Sequence, residues 1–297
     1  MVWIPGGNFT MGTDDDNAYD HERPAHQVHV DGFYISETEI TNKQFKKFVD
    51  ATAYKTIAER KPTWEDLKES LPPGSPPIPD SVLVPGSLVF FRPEAPVMLD
   101  DYSQWWVFVD GADWQHPEGP GSNLEGRWDH PVIHIAYEDA VAYCKWDGSR
   151  LPTEAEWELA SRGAKRDDPN GKLVANTFQG AFPVADLKED GFSGTAPVKS
   201  YPPNDFGLYD MVGNVWEWTS DLYAVDYYKT LDQKIADNPA GPSKAFDPNE
   251  PYAVKRVTKG GSFLCASNYC SNYRPSARQA SSIDSGSSNI GFRVVRD

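Results

Sequence analysis

Apolar residues recur at helical spacing in only a few stretches of this chain. Phe45, Phe48 and Val49 follow Thr41, and Gln44 stands three positions after that threonine. A hydroxyl and an amide side chain at this spacing satisfy each other's free backbone N–H groups, so a helix over 42–51 is predicted with its apolar face inward. Val141, Tyr143 and Trp146 give a second helix over 137–147, and Gly148 stands where it should stop. Thr153, Glu154, Ala155 and Glu156 repeat the capping pattern and open a third helix that ends near Gly163. Short strands are predicted over 6–12 and 27–34, framing one sheet, and over 254–264 and 291–295.

Between about 61 and 129 the pattern has no sustained period. The stretch is rich in proline and aromatic residues, among them Trp105, Trp106 and Trp114. Disordered segments are depleted in aromatics, so these residues are expected to form long ordered loops, with the tryptophans in the core or lining a peptide groove. The 25 prolines and 23 glycines are spread along all 297 residues, which implies many turns and an irregular, loop-rich globule. No repeat or boundary divides it. One α+β domain over 1–297 is expected, with a loop-rich insertion at about 61–129.

Charge narrows the partners. A formal net charge of -16 argues against nucleic acid, whose phosphates require clustered Lys and Arg. The same acids are oxygen donors of the kind Ca2+ uses. No window approaches the ~20 apolar residues of a membrane span. The first residues lack the pattern of a signal peptide, so the expectation for the chain as written is a cytoplasmic monomer, with an exported location open if a leader was trimmed.

The chemistry concentrates near the C-terminus. Cys265 and Cys270, two of three cysteines, follow the double glycine of Gly260-Gly261-Ser262. Thiolates are soft ligands, and two without a nearby histidine suit an ion such as Cu(I). Spacing alone favours a small disulfide or inert buried side chains over that metal reading. Cys144 lies in a helical segment and reads as an inert buried thiol.

Three sets of residues carry a family resemblance. They are Gly260-Gly261-Ser262 through Cys265 and Cys270 to Asn289-Ile290-Gly291-Phe292-Arg293; Arg150-Leu151-Pro152-Thr153-Glu154-Ala155-Glu156-Trp157-Glu158; and Gly213-Asn214-Val215-Trp216-Glu217-Trp218. The chain resembles the formylglycine-generating enzymes, or sulfatase-modifying factors, from about residue 2 to 297. The resemblance implies an irregular fold related to C-type lectins. It implies oxidation by O2 of a cysteine in an unfolded sulfatase segment of pattern CxPxR, with Cu(I) held by Cys265 and Cys270. Ser262 and Trp216 would line the oxygen pocket, and Asn289 would orient the site.

The resemblance also implies structural Ca2+. One site would use Asn176 and Asp190 with the carbonyls of Thr177 and Phe192. A second would use Asp210 and Glu217 with the carbonyls of Gly213 and Val215. Asn272 stands where the family usually has Arg, beside Tyr273, and losing that guanidinium bears on substrate contacts. Many relatives share the scaffold without the thiol pair, so a noncatalytic calcium-stabilised binding protein is one alternative. A copper thiol oxidase with another substrate is a second.

Overall fold

The computed structural model describes residues 1–231 and 234–297. Its first helix spans Asn42–Thr52 and starts as the sequence predicts. Gln44 N donates to the Thr41 hydroxyl at 3.3 Å, and Gln44 Oε1 accepts from Thr41 N at 2.8 Å. Phe45 and Phe48 bury against Trp114, Tyr143 and Phe292. Truncating either ring would cost about 3–5 kcal/mol. The helix Tyr137–Asp147 packs on this face and stops at Gly148, whose φ of 69° suits glycine.

The third helix, Glu154–Ala160, is buried on every side. Its glutamates survive burial because each meets a partner: Glu154 binds Arg278, Glu156 binds Arg150, and Glu158 binds Lys259 and Gly12 N.

A four-stranded sheet runs in the order Gln279–Ser282, Lys255–Lys259, Trp216–Leu222 and Ile290–Gly291, with the last pair parallel. It places the end of Lys255–Lys259 and the start of Trp216–Leu222 at one edge of the cysteine loop. Val2–Ile4, Phe33–Ile35 and Val295–Arg296 form another sheet that ties the chain ends together.

Several strand expectations need correction. The stretch 27–34 is two strands, His26–Val30 and Phe33–Ile35, in different sheets. The chain changes sheet at Asp31-Gly32, where a Cβ on Gly32 would lie 2.4 Å from the Trp3 ring. The stretch 254–264 stops being strand at Lys259, and 291–295 is split between Ile290–Gly291 and Val295–Arg296.

The region 61–129 holds a hairpin, Gly86–Phe90 with Trp106–Asp110, in addition to loops. Trp105 and Trp114 are fully buried, and Trp106 is half-buried. The α+β, loop-rich class stands. Among the described residues no helix is long and apolar enough to cross a membrane.

Candidate active site

The strand Lys255–Lys259 ends at Gly260 and Gly261, with φ of 94° and 75°. A Cβ on Gly261 would sit 3.2 Å from Cys265 Sγ and 3.0 Å from Asn272 O, so only glycine lets the cysteine loop fold back this closely. Two turns follow, closed by Cys265 N to Ser262 O and Cys270 N to Ala266 O, both 2.9 Å. They return Cys270 Sγ to within 2.7 Å of Cys265 Sγ, with both thiols free. Sequence spacing could not establish this meeting; the turns create it.

The pair shares its protons unequally. Cys265 is 1% exposed, and burial followed by the neighbouring sulfur pushes its thiol well above the ordinary range. Cys270 is held below it, first by the hydrogen bond from Cys265, then by Asn272 and the Arg274 charge, against burial. Of the two sulfurs, Cys270 is the more acidic. Arg274 is itself fixed by Glu22 through contacts of 2.7 and 2.9 Å.

A cavity of about 220 Å³ opens over the sulfurs, walled by Trp105, Trp106, Phe182, Trp216 and Tyr269. Ser262 and Asn289 form its polar corner. Ser262 Oγ accepts from Asn289 Nδ2 at 3.1 Å and from Leu264 N at 3.2 Å, and Ser287 Oγ donates to Asn289 Oδ1 at 2.7 Å. With its lone pairs engaged, the Ser262 hydroxyl has its own proton left to donate. Trp105 Nε1, also buried, has no acceptor among the described residues.

Two larger recesses, about 530 and 450 Å³, lie elsewhere. The first runs over Asp190 and Asp210, the second between Glu118, Arg127 and Phe192. Neither contains a thiol, so volume alone would point away from the redox-capable residues.

Six predicted residues therefore sit close together: Cys265, Cys270, Ser262, Trp216 and Asn289 line the cavity, and Asn272 supports Cys270 from behind. Tyr273 goes elsewhere. Its ring packs beneath Arg166, whose guanidinium lies 5.0 Å from the ring centre. Cys144 is buried in the cluster that holds Val294, its thiol pushed up to about 12 by burial.

The donor set at the cysteine pair fits a soft ion, with two sulfurs and no carboxylate between them. The two sulfurs lie 2.7 Å apart and are not bonded to each other. At the ~2.3 Å thiolate distance usual for zinc, flanking one ion would require the sulfurs to part to about 3.8–4.6 Å. The half-buried Cys270 is the one with room to move.

The two oxygen-rich segments lie side by side. Asn176 and Gly213 form a bridge, and Asn214 Oδ1 accepts from Asn176 Nδ2 at 3.1 Å. In the first segment Asp190 already accepts from Thr177 N, Gln179 Nε2 and Phe192 N, so it contributes one carboxylate that protein donors occupy. The second is occupied as well: Glu217 accepts from Trp157 Nε1 at 2.7 Å, Asp210 Oδ2 accepts from Lys199 N at 2.9 Å, and among the described residues no three His, Cys, Asp or Glu side chains form a group that could hold a metal ion. Glu39 and Glu217, both buried, and the partly buried Asp210 share one guanidinium, Arg293, which grips Glu217 at 2.5 and 2.7 Å.

Burial and the charges of Asp210 and Glu217 push Glu39 far above the usual carboxylate range, and burial raises Asp210 to about 6. Glu39 Oε2 is buried with no hydrogen-bond partner among the described residues. Sequence reading missed Glu39 because it precedes these segments by more than 130 positions and no local motif marks it. An Asn-Glu contact across that distance, Asn214 Nδ2 to Glu39 Oε1 at 3.0 Å, is visible only in three dimensions.

The cysteine-centred cavity on an irregular α+β scaffold defines a class of protein. A family model described as "Sulfatase-modifying factor enzyme 1-like domain" matches residues 1–297, and the chain belongs to this family. It is 44% identical over 307 residues to the mouse (Mus musculus) protein named formylglycine-generating enzyme, covering 100% of this chain and 75% of that one. The Mycobacterium tuberculosis protein of the same name is 43% identical over 305 residues, covering 100% and 97%. A bovine (Bos taurus) relative named inactive C-alpha-formylglycine-generating enzyme 2 is 37% identical over 304 residues, covering 99% and 87%. Among solved structures, PvdO from Pseudomonas aeruginosa matches with a TM-score of 0.62 at 24% identity, covering 100% of this chain and 93% of that one, which supports the fold alone.

Proposed function

We propose that the chain oxidises a cysteine of a sulfatase polypeptide to formylglycine. The observation that carries this reading is the free thiol pair beneath a cavity with a hydroxyl donor at its corner. Active and inactive relatives share the scaffold, so the site has to bear the weight.

In this reading Cys265 and Cys270 hold Cu(I), which when bound supplies electron transfer between the substrate thiol and O2. The net change is balanced: the substrate's thiol-bearing methylene gives up two electrons and two protons to O2, leaving a thioaldehyde and hydrogen peroxide. Water then replaces the sulfur, which leaves as hydrogen sulfide. The aromatic walls keep bulk water from the reacting carbon, and Ser262 offers its proton where charge develops on oxygen. The substrate would be a locally unfolded CxPxR segment. A cysteine side chain reaches only two bonds from the backbone, so that backbone must come to the cavity mouth. In the same reading Ca2+ is held by the Asp210, Gly213, Val215 and Glu217 segment and by the Asn176, Thr177, Asp190 and Phe192 segment, organising loops without entering the reaction.

The test loads the purified chain with Cu(I), adds a CxPxR peptide and O2, and follows the cysteine by mass spectrometry. Conversion of the thiol side chain to an aldehyde supports the proposal. An unchanged peptide, under conditions where an active relative converts it, rejects it. Copper titration separates the noncatalytic alternative, which expects equal affinity in wild type, Cys265→Ser and Cys270→Ser.

A further inference from the structure

The wall residue Trp106 begins a strand with one bare edge. In the hairpin Gly86–Phe90 with Trp106–Asp110, Phe91 N donates to Trp105 O at 2.8 Å and Gly111 N to Pro85 O at 2.9 Å. This register turns the backbone groups of residues 105, 107, 109 and 111 toward the partner strand, and those of Trp106 and Phe108 away from it. Among the described residues the sheet has only these two strands. Among the described residues no backbone hydrogen bond reaches Trp106 or Phe108 from outside. The opposite edge of the hairpin is occupied, since Ser288 N donates to Leu88 O and Ser288 Oγ accepts from Phe90 N.

Strand edges in soluble proteins are usually blunted by Lys, Pro or a bulge, because an open row of N–H and C=O groups recruits other chains. Trp106-Val107-Phe108-Val109 carries none of these guards. Val107 is 44% exposed, Phe108 50%, and Leu88 across from it 37%. The Phe108 ring covers Gly86. The edge ends near Asp110, whose carbonyl approaches Gly119. A short apolar edge is thus left open beside the cavity that contains the thiols, to which Trp106 also contributes.

We propose that the outer edge of Trp106–Phe108 captures the thiol-bearing chain by adding it as an extended strand, delivering its cysteine to the adjacent cavity. This deepens the oxidase reading and rests on it for the identity of the peptide. Strand addition draws affinity from main-chain hydrogen bonds and is therefore tolerant of sequence. The CxPxR pattern then sets the phase. Proline has no N–H, so its position must face away from the edge, and cysteine and arginine, each two residues from it, face away too. The two x positions face Trp106 and Phe108.

The experiment uses a fluorescent CxPxR peptide and versions with one backbone amide methylated at a time. Anisotropy on the full chain reads binding, and mass spectrometry of the same samples reads oxidation. Methylation at either x position is expected to weaken binding about 3- to 10-fold, the scale of one lost hydrogen bond, with the amides of Cys and Arg indifferent. Equal effects at all four amides, or none, overturn the proposal. Binding with this alternation but without oxidation keeps the edge and rejects the oxidase reading. Oxidation without alternation does the reverse, and a peptide that neither binds nor reacts rejects both.

A variant arm reads the same edge from the enzyme side. Phe108→Pro removes an outward N–H that the hairpin does not use, so thermal stability should stay near that of Phe108→Ala while peptide binding weakens about 3- to 10-fold further. If Phe108→Pro unfolds the chain, the methylated peptides still decide. If sedimentation shows that Phe108→Pro abolishes self-association while peptide binding is unchanged, the edge serves a second copy of this chain, and the proposal fails.

Discussion

Asn289 Nδ2 donates to Ser262 Oγ across 3.1 Å, joining two loops 27 residues apart at the corner of the cysteine cavity. The contact fixes the hydroxyl so that its proton is free for a ligand. Ser262→Ala is expected to lower kcat about 100-fold with little change in KM, because the donor acts on charge that develops during reaction. Asn289→Ala should give a smaller loss, since Leu264 N still orients the hydroxyl. Steady-state kinetics with a CxPxR peptide reads both. An equal rise in KM for the two variants, with kcat unchanged, would assign them to ground-state binding.

Cys270 should react with iodoacetamide before Cys265 and Cys144 in the metal-free protein. Its pKa lies below the ordinary thiol value while those of the other two lie above, and it is the more exposed of the pair. Its alkylation rate should fall as pH drops through that lowered pKa. Peptide mapping by mass spectrometry gives the order, and faster labelling of Cys144 would contradict the assignment of Cys270 as the most acidic thiol.

Asp221 is the surplus acid of a buried cluster. Arg278 holds Glu154 at 2.8 and 2.9 Å and Lys259 holds Glu158 at 2.9 Å, which among the described residues leaves Asp221 without a cation of its own. Burial and the Glu154 charge push its pKa up to about 7. The folded state thus binds this proton more tightly than the unfolded state, and the penalty for ionising it grows from about pH 4 to pH 7. Asp221→Asn removes that penalty. It should stabilise the fold at pH 8, by about 4 kcal/mol at most, with Tm rising accordingly, and the gain should vanish near pH 4. A gain independent of pH would refute the assignment.

Calcium is expected to stabilise the fold by roughly 2–3 kcal/mol at an ion concentration about 100-fold above Kd, raising Tm, and chelation to reverse it. Asp210→Ala should abolish the response. Glu39→Gln should stabilise the calcium-free protein by relieving carboxylate crowding, and it should shrink the calcium-dependent shift. Differential scanning fluorimetry reads all three. No calcium response in the wild type would leave the cluster as a proton-sharing set.

Much of the local structure was legible from sequence. Thr41 with Gln44 and Thr153 with Glu156 marked helix starts because capping depends on side chains three positions apart. Gly148 marked a stop because few other residues adopt its φ. The strand reading over 27–34 failed because alternation cannot reveal that a chain changes sheets at Gly32. The hairpin at 86–110 was missed because Leu88-Val89-Phe90 and Trp106-Val107-Phe108-Val109 are unbroken apolar runs without the polar–apolar alternation that marks a strand, set in a stretch rich in proline and aromatics.

The sequence by itself determined the family, the main helices and the chemical types at the site: two thiols, a hydroxyl, an amide and acidic loops. Those follow from residue identity and short-range spacing. Tertiary structure alone decided that the two sulfurs touch, that Cys270 is the acidic one, that Glu39 joins Asp210 and Glu217, and that the glutamates of 154–160 are buried and paired. Each of these depends on which distant groups share a low-dielectric interior, where burial and one neighbouring charge can outweigh a residue's ordinary preference.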